Sequence, residues 1–338
     1  MQKAMVTVAI PVYNGERFIK QAIDSVLNQT YKDFVLKIFD NCSTDRTSEI
    51  INSFNDERIG YIKNEKNIGM LPNWKKALDS ATTKYVALLF SDDFYKPMFL
   101  EKTVKAFECN PEIAIVSVGT EAYNIRNELI GSRKRSKIGI FSSKEYYKYT
   151  YTLEEIPAPN ETILLNKAVK EVEGYDVKNL NWIVDADLYL KIAKAGYKTY
   201  HLEDILACNR SWEGNSTNSI RFTYKNVEDR YYLLGKYFNS ELIDNKTKID
   251  SYNRVWKVVK GNIFINLLKR DFKQIKMQYK ISINNDIKYR HNHFYKIKHI
   301  LEIFFFISVT LSKSIVRKYC PVIVKLKRYI KNLREGAK

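Results

Sequence analysis

Within the first 120 residues, short runs rich in β-branched and aromatic residues alternate with segments whose apolar residues recur every three or four positions. The strand-like runs lie at 5–10, 34–39, 58–63, 84–90 and 113–119, and the helix-like segments at about 16–28, 45–54, 71–80 and 97–109. Repeated strand–helix–strand order predicts an α/β fold with a Rossmann-like, mostly parallel sheet flanked by helices. Ligands of such sheets bind beyond the carboxyl ends of the strands, so the residues that follow each strand are the candidates for chemistry.

Polar residues follow the first four predicted strands, in the segments 11–15, 40–45, 67–69 and 91–93. Asp, Asn and Ser also end strands and cap helices routinely, and capping alone explains Ser43 and Asp45. Asp92 and Asp93 differ, because two adjacent carboxylates repel each other unless a cation or a hydrogen-bond donor lies beside them. The residues therefore favour a metal or phosphate-ester site over ordinary turn chemistry.

Residues 120–220 are less regular but contain a second acidic position. Asp185 and Asp187 begin a segment with helical periodicity. Acidic residues in a first helical turn complement the helix dipole, so capping explains one of the two. The polar segment 209–217 includes Arg210, Trp212 and Gly214 and predicts a mobile loop.

The charge of the chain is divided unequally along its length. Residues 1–245 contain 33 basic and 33 acidic residues, so the whole formal net charge of +18 falls on residues 246–338. From about residue 222 the pattern is helical throughout. Apolar residues of 294–333, including 303–307, alternate with basic ones such as Lys325 and Arg328. This pattern predicts an interfacial helix against an anionic membrane surface through residues 294–338.

The remaining composition favours a reducing compartment. The four cysteines, Cys42, Cys109, Cys208 and Cys320, are scattered and predict neither a zinc site nor a disulfide framework. The first residues run directly into an apolar strand, which is not the pattern of a signal peptide. The longest apolar stretch, 300–311, is too short to span a bilayer. We therefore expect a cytoplasmic protein, peripherally associated with the inner face of the cell membrane.

Five ordered motifs carry a resemblance to a known family: residues 8–14 (VAIPVYN), 25–31 (SVLNQTY), 39–47 (FDNCSTDRT), 67–69 (NIG) and 89–93 (LFSDD). In this order, followed by an acidic helix start and an Arg-containing loop, they closely resemble the family 2 glycosyltransferases of GT-A fold. The resemblance covers roughly two thirds of the chain. It implies a catalytic domain at residues 1–221, and leaves residues 222–338 as a basic helical C-terminal region, either membrane-associating or on the acceptor side.

The resemblance also implies roles for the residues that bind the nucleotide. Asp40 accepts the imide N–H of a uracil or thymine base. Pro11, Tyr13 and Asn14 form the floor beneath the nucleoside, and Asn67 belongs to the same donor site.

The resemblance places the reacting groups as well. Asp92 lies near the ribose, Asp93 binds Mn²⁺ or Mg²⁺, and Arg210 meets the diphosphate. Asp185 is the catalytic base, with Asp187 as its nearest rival. A divalent cation neutralises the departing diphosphate, and one carboxylate on the opposite face gives a single displacement with inversion. The expected partners are a nucleotide sugar and a glycan or lipid-linked saccharide of polysaccharide biosynthesis.

The sequence departs from the family pattern at four positions. Asn41 stands where a second acidic residue is usual, and Cys42 stands where Gly is usual, which predicts a stiffer loop. Val184 replaces a Glu before the base. Trp212 replaces a His that binds the metal in some members, which puts the third protein ligand in doubt; the indole either stacks on a sugar or packs.

Two other functions compete with the glycosyltransferase. One is an inactive GT-A domain whose basic tail binds a membrane or nucleic acid, although the strand ends are acidic and no nucleic acid is expected. The other is a nucleotidyltransferase, which ordinarily carries a Gly-rich basic loop after the first strand, unlike Pro11 to Asn14 here.

Overall fold

A computed structural model describes residues 4–153, 155–215, 220, 222–269 and 271–289. The strands are β1 Val6–Val12, β2 Phe34–Asp40, β3 Ile59–Lys63, β4 Tyr85–Leu88, β5 Phe94–Tyr95, β6 Ile113–Tyr123, β7 Leu129–Arg133, β8 Gly139–Phe141, β9 Thr162–Leu165 and β10 Lys198–Arg210. The helices are α1 Ile19–Leu27, α2 Thr47–Asn52, α3 Met70–Asp79, α4 Phe99–Cys109, α5 Ser143–Tyr151, α6 Asn166–Glu171, α7 Val184–Lys194, α8 Tyr224–Tyr237, α9 Asn245–Leu268 and α10 Phe272–Tyr289, with a 3-10 turn at Pro159–Glu161. Every strand and helix predicted in the first 120 residues is confirmed, as is the helix that starts near Asp185.

The strands form one sheet in the order β3-β2-β1-β4-β9-β6-β10-β5, with β7 beside β6 and β8 beside β10. The pairs β2–β3, β1–β2 and β1–β4 are parallel, as predicted. The sheet is nevertheless mixed, because β9 enters antiparallel between β4 and β6. The five strands predicted within the first 120 residues therefore do not all pair with one another, since a later segment separates the last of them from β4.

The core lies between the central strands and the amphipathic helices. All seven residues of β1 are buried, which reflects a strand covered on both faces. Helix α1 buries Ile19, Ala22, Ile23 and Val26, which recur at helical spacing. Each of the three larger side chains, Ile19, Ile23 and Val26, contributes about 1.5–3 kcal/mol on burial. This packing fixes the strand ends and, with them, the loops at the carboxyl edge.

The chain divides after Val255 into two compact units. Helix α8, which the predicted boundary at residue 221 assigned to the C-terminal region, lies in the first unit. Within the second unit, Trp256, Val259 and Ile263 of α9 are buried, as expected for the apolar stripe of that helix. The predicted membrane-contacting residues 294–338 lie outside the described residues.

Among the helices that the structure describes, none combines the length and the apolar character needed to cross a bilayer.

Candidate active site

A cleft of about 930 Å³ opens at the carboxyl edge of the parallel strands. Residues from both sides of the inserted strand β9 line it, so segments distant in sequence meet there. The predicted site residues that line it are Pro11, Tyr13, Asn14, Asn67, Asp92, Asp93, Asp185 and Arg210. Asp40 is the one predicted site residue outside the lining.

The loop after β1 forms one wall of the cleft. Pro11 is buried, whereas Tyr13 is 49% exposed. Asn14 adopts a left-handed conformation with φ 50°, and its Oδ1 accepts the Thr44 N–H at 2.9 Å. The Asn14 N–H donates to Ser43 Oγ at 2.9 Å. These neutral hydrogen bonds help to join the β1 and β2 loops, which fixes the floor predicted for the nucleoside.

The structure contradicts the base contact predicted for Asp40. Its side chain is fully buried; Oδ1 accepts the Ser43 N–H at 2.8 Å, and Oδ2 accepts from Ser48 Oγ and Tyr61 Oη at 3.1 and 2.8 Å. Successive side chains of an extended strand alternate between the two faces of the sheet. Asp40, the last residue of β2, therefore faces α2 and holds the loop, while its neighbour Asn41 lines the cleft.

Sequence reasoning treated Asn41 only as a departure from the family pattern, yet its amide organises the nucleotide side. Oδ1 accepts from the Ile68 N–H and Asn64 Nδ2 at 2.9 and 3.0 Å, and Nδ2 donates to Asn67 Oδ1 at 2.9 Å. Asn67 Oδ1 also accepts the Gly69 N–H at 2.8 Å. Because backbone N–H groups are fixed donors, both amide orientations are set. The exposed Asn67 therefore has its carbonyl occupied, and its Nδ2 remains available to a ligand.

The acidic pair after β4 lies in an environment that disfavours its ionised form. Burial, reinforced by the Asp92 charge, raises the pKa of Asp93 well above its usual range, although its Oδ1 accepts the Arg210 N–H at 2.8 Å. Burial likewise raises the pKa of Asp92. Within the part of the chain that the structure describes, no third His, Cys, Asp or Glu completes a metal cluster. The two carboxylates fit a divalent cation that keeps other positions for phosphate oxygens and water.

Arg210 occupies a different environment from the one predicted. It is 3% exposed, and its guanidinium donates to Asp92 O, Asn124 O, Gln21 Oε1 and Asn127 Oδ1 at 2.6–3.1 Å. It also lies 4.4 Å from the Phe18 ring centroid. Arg210 lines the cleft with most of its guanidinium donors engaged by the protein, and its contact with the diphosphate stays a prediction. The residue also fixes the loop of Asp92 and Asp93.

The exposed Arg17, which sequence reasoning missed, also lines the cleft beside Trp212. The sequence did indicate this position, because Arg17 lies four residues after Tyr13 in the turn that leads into α1, at the carboxyl edge of the sheet. For Trp212 the contacts favour packing over sugar stacking. Its Nε1 donates to Asp92 Oδ2 at 2.9 Å, and its ring meets Phe18 edge-on at 5.4 Å.

The structure separates the two candidates for the catalytic base. Asp185 lines the cleft, and burial raises its pKa to about 7, although the Ala186 N–H donates to Oδ1. Asp187 is fully buried on another face of α7, and its Oδ1 accepts from Lys236 Nζ and Tyr237 Oη at 2.7 and 2.6 Å. A residue paired in this way cannot reach a substrate, so the geometry favours Asp185.

Helix α8 positions the start of α7. The carboxylate of Asp229, buried on α8, accepts the backbone N–H groups of Asn181, Trp182 and Ile183 at 2.6–3.2 Å. The Ile183 N–H belongs to the N-cap of α7, and the other two donors lie in the segment that leads into it, where Ile183 has no side chain able to form a cap. Asp229 supplies this cap from a distant segment, which the sequence pattern could not reveal.

Aromatic residues line the cleft near the base. Trp74 lies 4.5 Å from Phe90 and 6.0 Å from Trp182 between ring centroids. All three contribute to the cleft wall. They come from α3, the β4 loop and the segment before α7, so only the fold brings them together.

Comparison with known proteins places the chain in a family. Residues 7–173 match the family described as Glycosyl transferase family 2. An uncharacterised glycosyltransferase of Methanocaldococcus jannaschii is 29% identical over 262 residues, 76% of this chain and 86% of the relative. A putative teichuronic acid biosynthesis glycosyltransferase of Bacillus subtilis, TuaG, is 25% identical over 256 residues, 73% of this chain and 97% of the relative.

Solved structures share the fold. The S. aureus protein TarS in complex with UDP-GlcNAc superposes with a TM-score of 0.59 at 16% identity, over 85% of this chain and 93% of that chain. The mannosyltransferase PcManGT from Pyrobaculum calidifontis, in complex with GDP-Man and Mn²⁺, gives 0.56 at 15% identity, over 98% and 88%. At such identities the likeness shows the fold alone, which is the predicted GT-A fold.

Proposed function

The chain belongs to glycosyltransferase family 2, and we propose that it transfers a sugar from a UDP- or dTDP-linked donor to a glycan or lipid-linked saccharide, with inversion. The observation that carries this proposal is the joint position of Asp185 and the Asp92–Asp93 pair in one cleft. A base and a cation-binding pair on opposite sides of a substrate are what a metal-assisted single displacement requires.

The donor site is assigned from the residues around the β1 and β2 loops. Pro11, Tyr13 and Asn14 lie under the nucleoside, and the Asn67 amide is oriented to donate to a base carbonyl, which uracil and thymine provide. The diphosphate lies beside Asp93, within reach of the exposed Arg17. A cation–phosphate hydrogen bond is among the stronger ones available in proteins.

Asp92 and Asp93 would hold Mn²⁺ or Mg²⁺. A bound divalent ion would neutralise the charge that develops on the departing diphosphate. The structure of PcManGT carries Mn²⁺ with its nucleotide sugar, which supports the same cofactor class here. Burial raises the pKa of Asp93, and the charge of a bound cation would offset that effect by favouring the ionised carboxylate.

Asp185 performs the proton transfer. Its carboxylate takes the proton of the acceptor hydroxyl, and the acceptor oxygen bonds to the anomeric carbon as the bond to the diphosphate oxygen breaks. The electron pair of that bond stays on the diphosphate. A base with a pKa of about 7 is about half ionised at neutral pH, and its ionised form is a stronger base than an ordinary carboxylate.

Neither competing function accounts for these groups. An inactive domain that binds polyanions through its basic tail gives no role to Asp92, Asp93 and Asp185, which all line one cleft. A nucleotidyltransferase ordinarily carries a Gly-rich basic loop after the first strand. In this chain Tyr13 and Asn14 occupy that place.

The test is a screen of nucleotide sugars with Mn²⁺, in which the released nucleoside diphosphate is measured. We expect hydrolysis or transfer with at least one UDP- or dTDP-sugar, and loss of that signal in Asp185→Asn. Absence of turnover with every donor, with and without added acceptor saccharides, would overturn the proposed function.

A second part of the proposal concerns localisation. We propose that residues 294–338 attach the enzyme peripherally to the inner face of the cell membrane, where lipid-linked acceptors reside. The support is the +18 charge of residues 246–338. The full chain should sediment with anionic liposomes at low salt and much less at 0.5 M NaCl. Replacing Lys325, Lys327, Arg328 and Lys331 by Ser should weaken the attachment, and sedimentation equal to that with neutral liposomes would contradict it.

A further inference from the structure

A buried, unpaired acceptor lies in the wall of the cleft, apart from every residue assigned above. Asn160, in the 3-10 turn before β9, is 1% exposed and lines the cleft. Its Oδ1 is shielded by the protein and has no hydrogen-bond partner in the part of the chain that the structure describes. Leaving a buried acceptor unpaired costs about 1–3 kcal/mol, so such an atom in a binding cleft calls for a ligand donor.

The orientation of this amide is fixed by a chain of hydrogen bonds. The Glu161 carboxylate can only accept, and Asn209 Nδ2 donates to its Oε1 at 3.3 Å. The carbonyl of Asn209 must then face the other way, where it accepts from Thr120 Oγ1 and Asn160 Nδ2 at 2.9 and 2.6 Å. Asn160 therefore uses its amino group on Asn209, and its Oδ1 is the group left over.

The carboxylate that starts this chain is itself held firmly. Glu161 is fully buried and pairs with Arg133 at 2.9 Å and with Arg135. Both arginines donate to its carboxylate oxygens, which therefore act as acceptors in this chain of hydrogen bonds. This fixes the polarity of the Glu161–Asn209–Asn160 chain, so Asn160 directs its amino group to Asn209.

Contacts of neighbouring residues link the segment of Asn160 both to the metal-binding pair and to the base. Asn209, its partner, directly precedes Arg210, whose N–H donates to Asp93 at 2.8 Å. Thr162 follows Asn160 by two residues, and its Oγ1 lies 3.1 Å from Tyr189 Oη. Tyr189 is one helical turn beyond Asp185 on α7. In a displacement that has the diphosphate at Asp93 and the acceptor hydroxyl at Asp185, the transferred sugar occupies the space between.

We propose that Asn160 Oδ1 accepts a hydrogen bond from a hydroxyl or N–H group of the transferred sugar and thereby helps to select the donor. This inference rests on the proposed function and deepens it, since it concerns the sugar rather than the nucleotide. A site built around one hydrogen bond rejects analogues that lack the donor group, because its own polar atom is then left unpaired.

The test compares Asn160→Ala with Thr120→Val in the full chain. Thr120→Val also removes one hydrogen bond to Asn209, but it leaves Asn160 Oδ1 in place and lies outside the cleft lining. With the best nucleotide sugar from the screen and Mn²⁺, Asn160→Ala should lose about 10- to 100-fold in kcat/KM. Thr120→Val should stay within about threefold, and calorimetry with UDP alone should give the unaltered affinity for both variants.

A second measurement uses donors that lack one hydroxyl or acetamido group, tested in turn. The unaltered protein should lose activity with one of them, and Asn160→Ala should show no further loss with that same donor, because the two changes remove the same hydrogen bond. This arm needs no folded variant to reveal the selectivity of the unaltered protein.

The outcomes separate the inference from its premise. An Asn160→Ala variant within threefold of the unaltered kcat/KM overturns the inference alone. An equal loss of affinity for UDP alone also overturns it, because the contact would then be to the nucleotide or its metal. An Asn160→Ala variant that discriminates among the donors lacking one hydroxyl or acetamido group as strongly as the unaltered protein also overturns the inference. Absence of turnover by the unaltered protein with every donor overturns the proposed function and the inference together.

Discussion

The two halves of the sheet hold the cleft in different ways. In the β1–β4 half, the cleft residues follow parallel strands directly, and neutral side chains such as Asn14, Ser43 and Asn41 join their loops. In the β6–β10 half, ion pairs behind the cleft support its wall: the buried pair of Glu161 with Arg135, and the pair of the buried Asp187 with the partly exposed Lys236. Backbone topology thus positions the first half, whereas charge pairing between distant segments positions the second.

The difference predicts how each half responds to substitution. Neutral loop contacts contribute about 0.5–1.5 kcal/mol each, so their loss is modest and local. Breaking a buried ion pair leaves a charge unpaired and costs about 3–5 kcal/mol. Changes in the β6–β10 half should therefore reduce stability and activity together, except at groups that face the substrate.

The largest effect should follow Asp185→Asn, because it removes the base and leaves its surroundings intact. We expect turnover to fall about 10²- to 10⁴-fold while UDP affinity is preserved. The matched control is Asp187→Asn, which should lower the melting temperature but leave turnover per folded molecule within about tenfold. If Asp187→Asn instead lost far more turnover than Asp185→Asn, the catalytic base would be Asp187.

Next in size is the effect of removing the cation or its ligand. EDTA should abolish turnover and Mn²⁺ should restore it, and Asp93→Asn should lose about 10³-fold because the diphosphate charge is then uncompensated. Burial raises the pKa of Asp93, so the neutral Asn should leave the melting temperature of the metal-free protein unchanged or higher. Calorimetric titration with Mn²⁺ checks the site, and full activity in EDTA would exclude it.

A smaller effect, about tenfold, should appear in the pH profile. Burial raises the folded pKa of Asp185 to about 7, so the carboxyl is protonated and inactive below that pH. Turnover should therefore increase with pH up to about 7 and level off above it, with about tenfold less activity at pH 6 than at pH 8. The same shift makes the folded state bind the proton more tightly than the unfolded state does, so stability should fall as the pH rises from 3.8 to about 7 and stay lower above that pH. A profile flat from pH 5 to 8 would contradict the raised pKa.

Asp229→Asn tests whether α8 belongs to the catalytic half. Its amide cannot accept all the N–H groups at the start of α7, so we expect a loss of about 1–2 kcal/mol in the free energy of unfolding. A few-fold decrease in kcat with unchanged UDP affinity should accompany it, because Asp185 begins that helix. Denaturant unfolding and steady-state kinetics check both, and an unchanged kcat would make the cap purely structural.

The smallest effect concerns the β1–β4 half. Cys42 adopts a left-handed conformation with φ 66°, which costs a non-glycine residue about 1–2 kcal/mol. Cys42→Gly should raise the free energy of unfolding by about 0.5–1 kcal/mol, since part of the relief is offset by the greater chain entropy of unfolded glycine. A stabilisation in urea melts would confirm that the loop is strained; a destabilisation would mean that the thiol contributes contacts that outweigh the strain.

Sequence reasoning succeeded where function is encoded within a few residues of a strand or helix. Asp92, Asp93 and Asp185 were placed in the cleft because each follows or begins an element whose periodicity is legible. It was wrong for the base contact of Asp40, since alternation along β2 decides which of two adjacent polar residues faces a ligand. It could not reveal the contacts of Arg210, whose guanidinium partners lie 83 to 189 positions away in sequence.

The sequence by itself determined the α/β class, the succession of the first four strands along the chain and the family. These follow from local periodicity and from motifs confined to short segments. Only the tertiary structure decided the rest: the insertion of β9, the cap that Asp229 gives to α7, and the fixed orientation of Asn160. The physical reason is that hydrogen bonds and ion pairs act over about 3 Å of space without regard to sequence separation. Their partners become defined only when the folded chain has brought distant residues together.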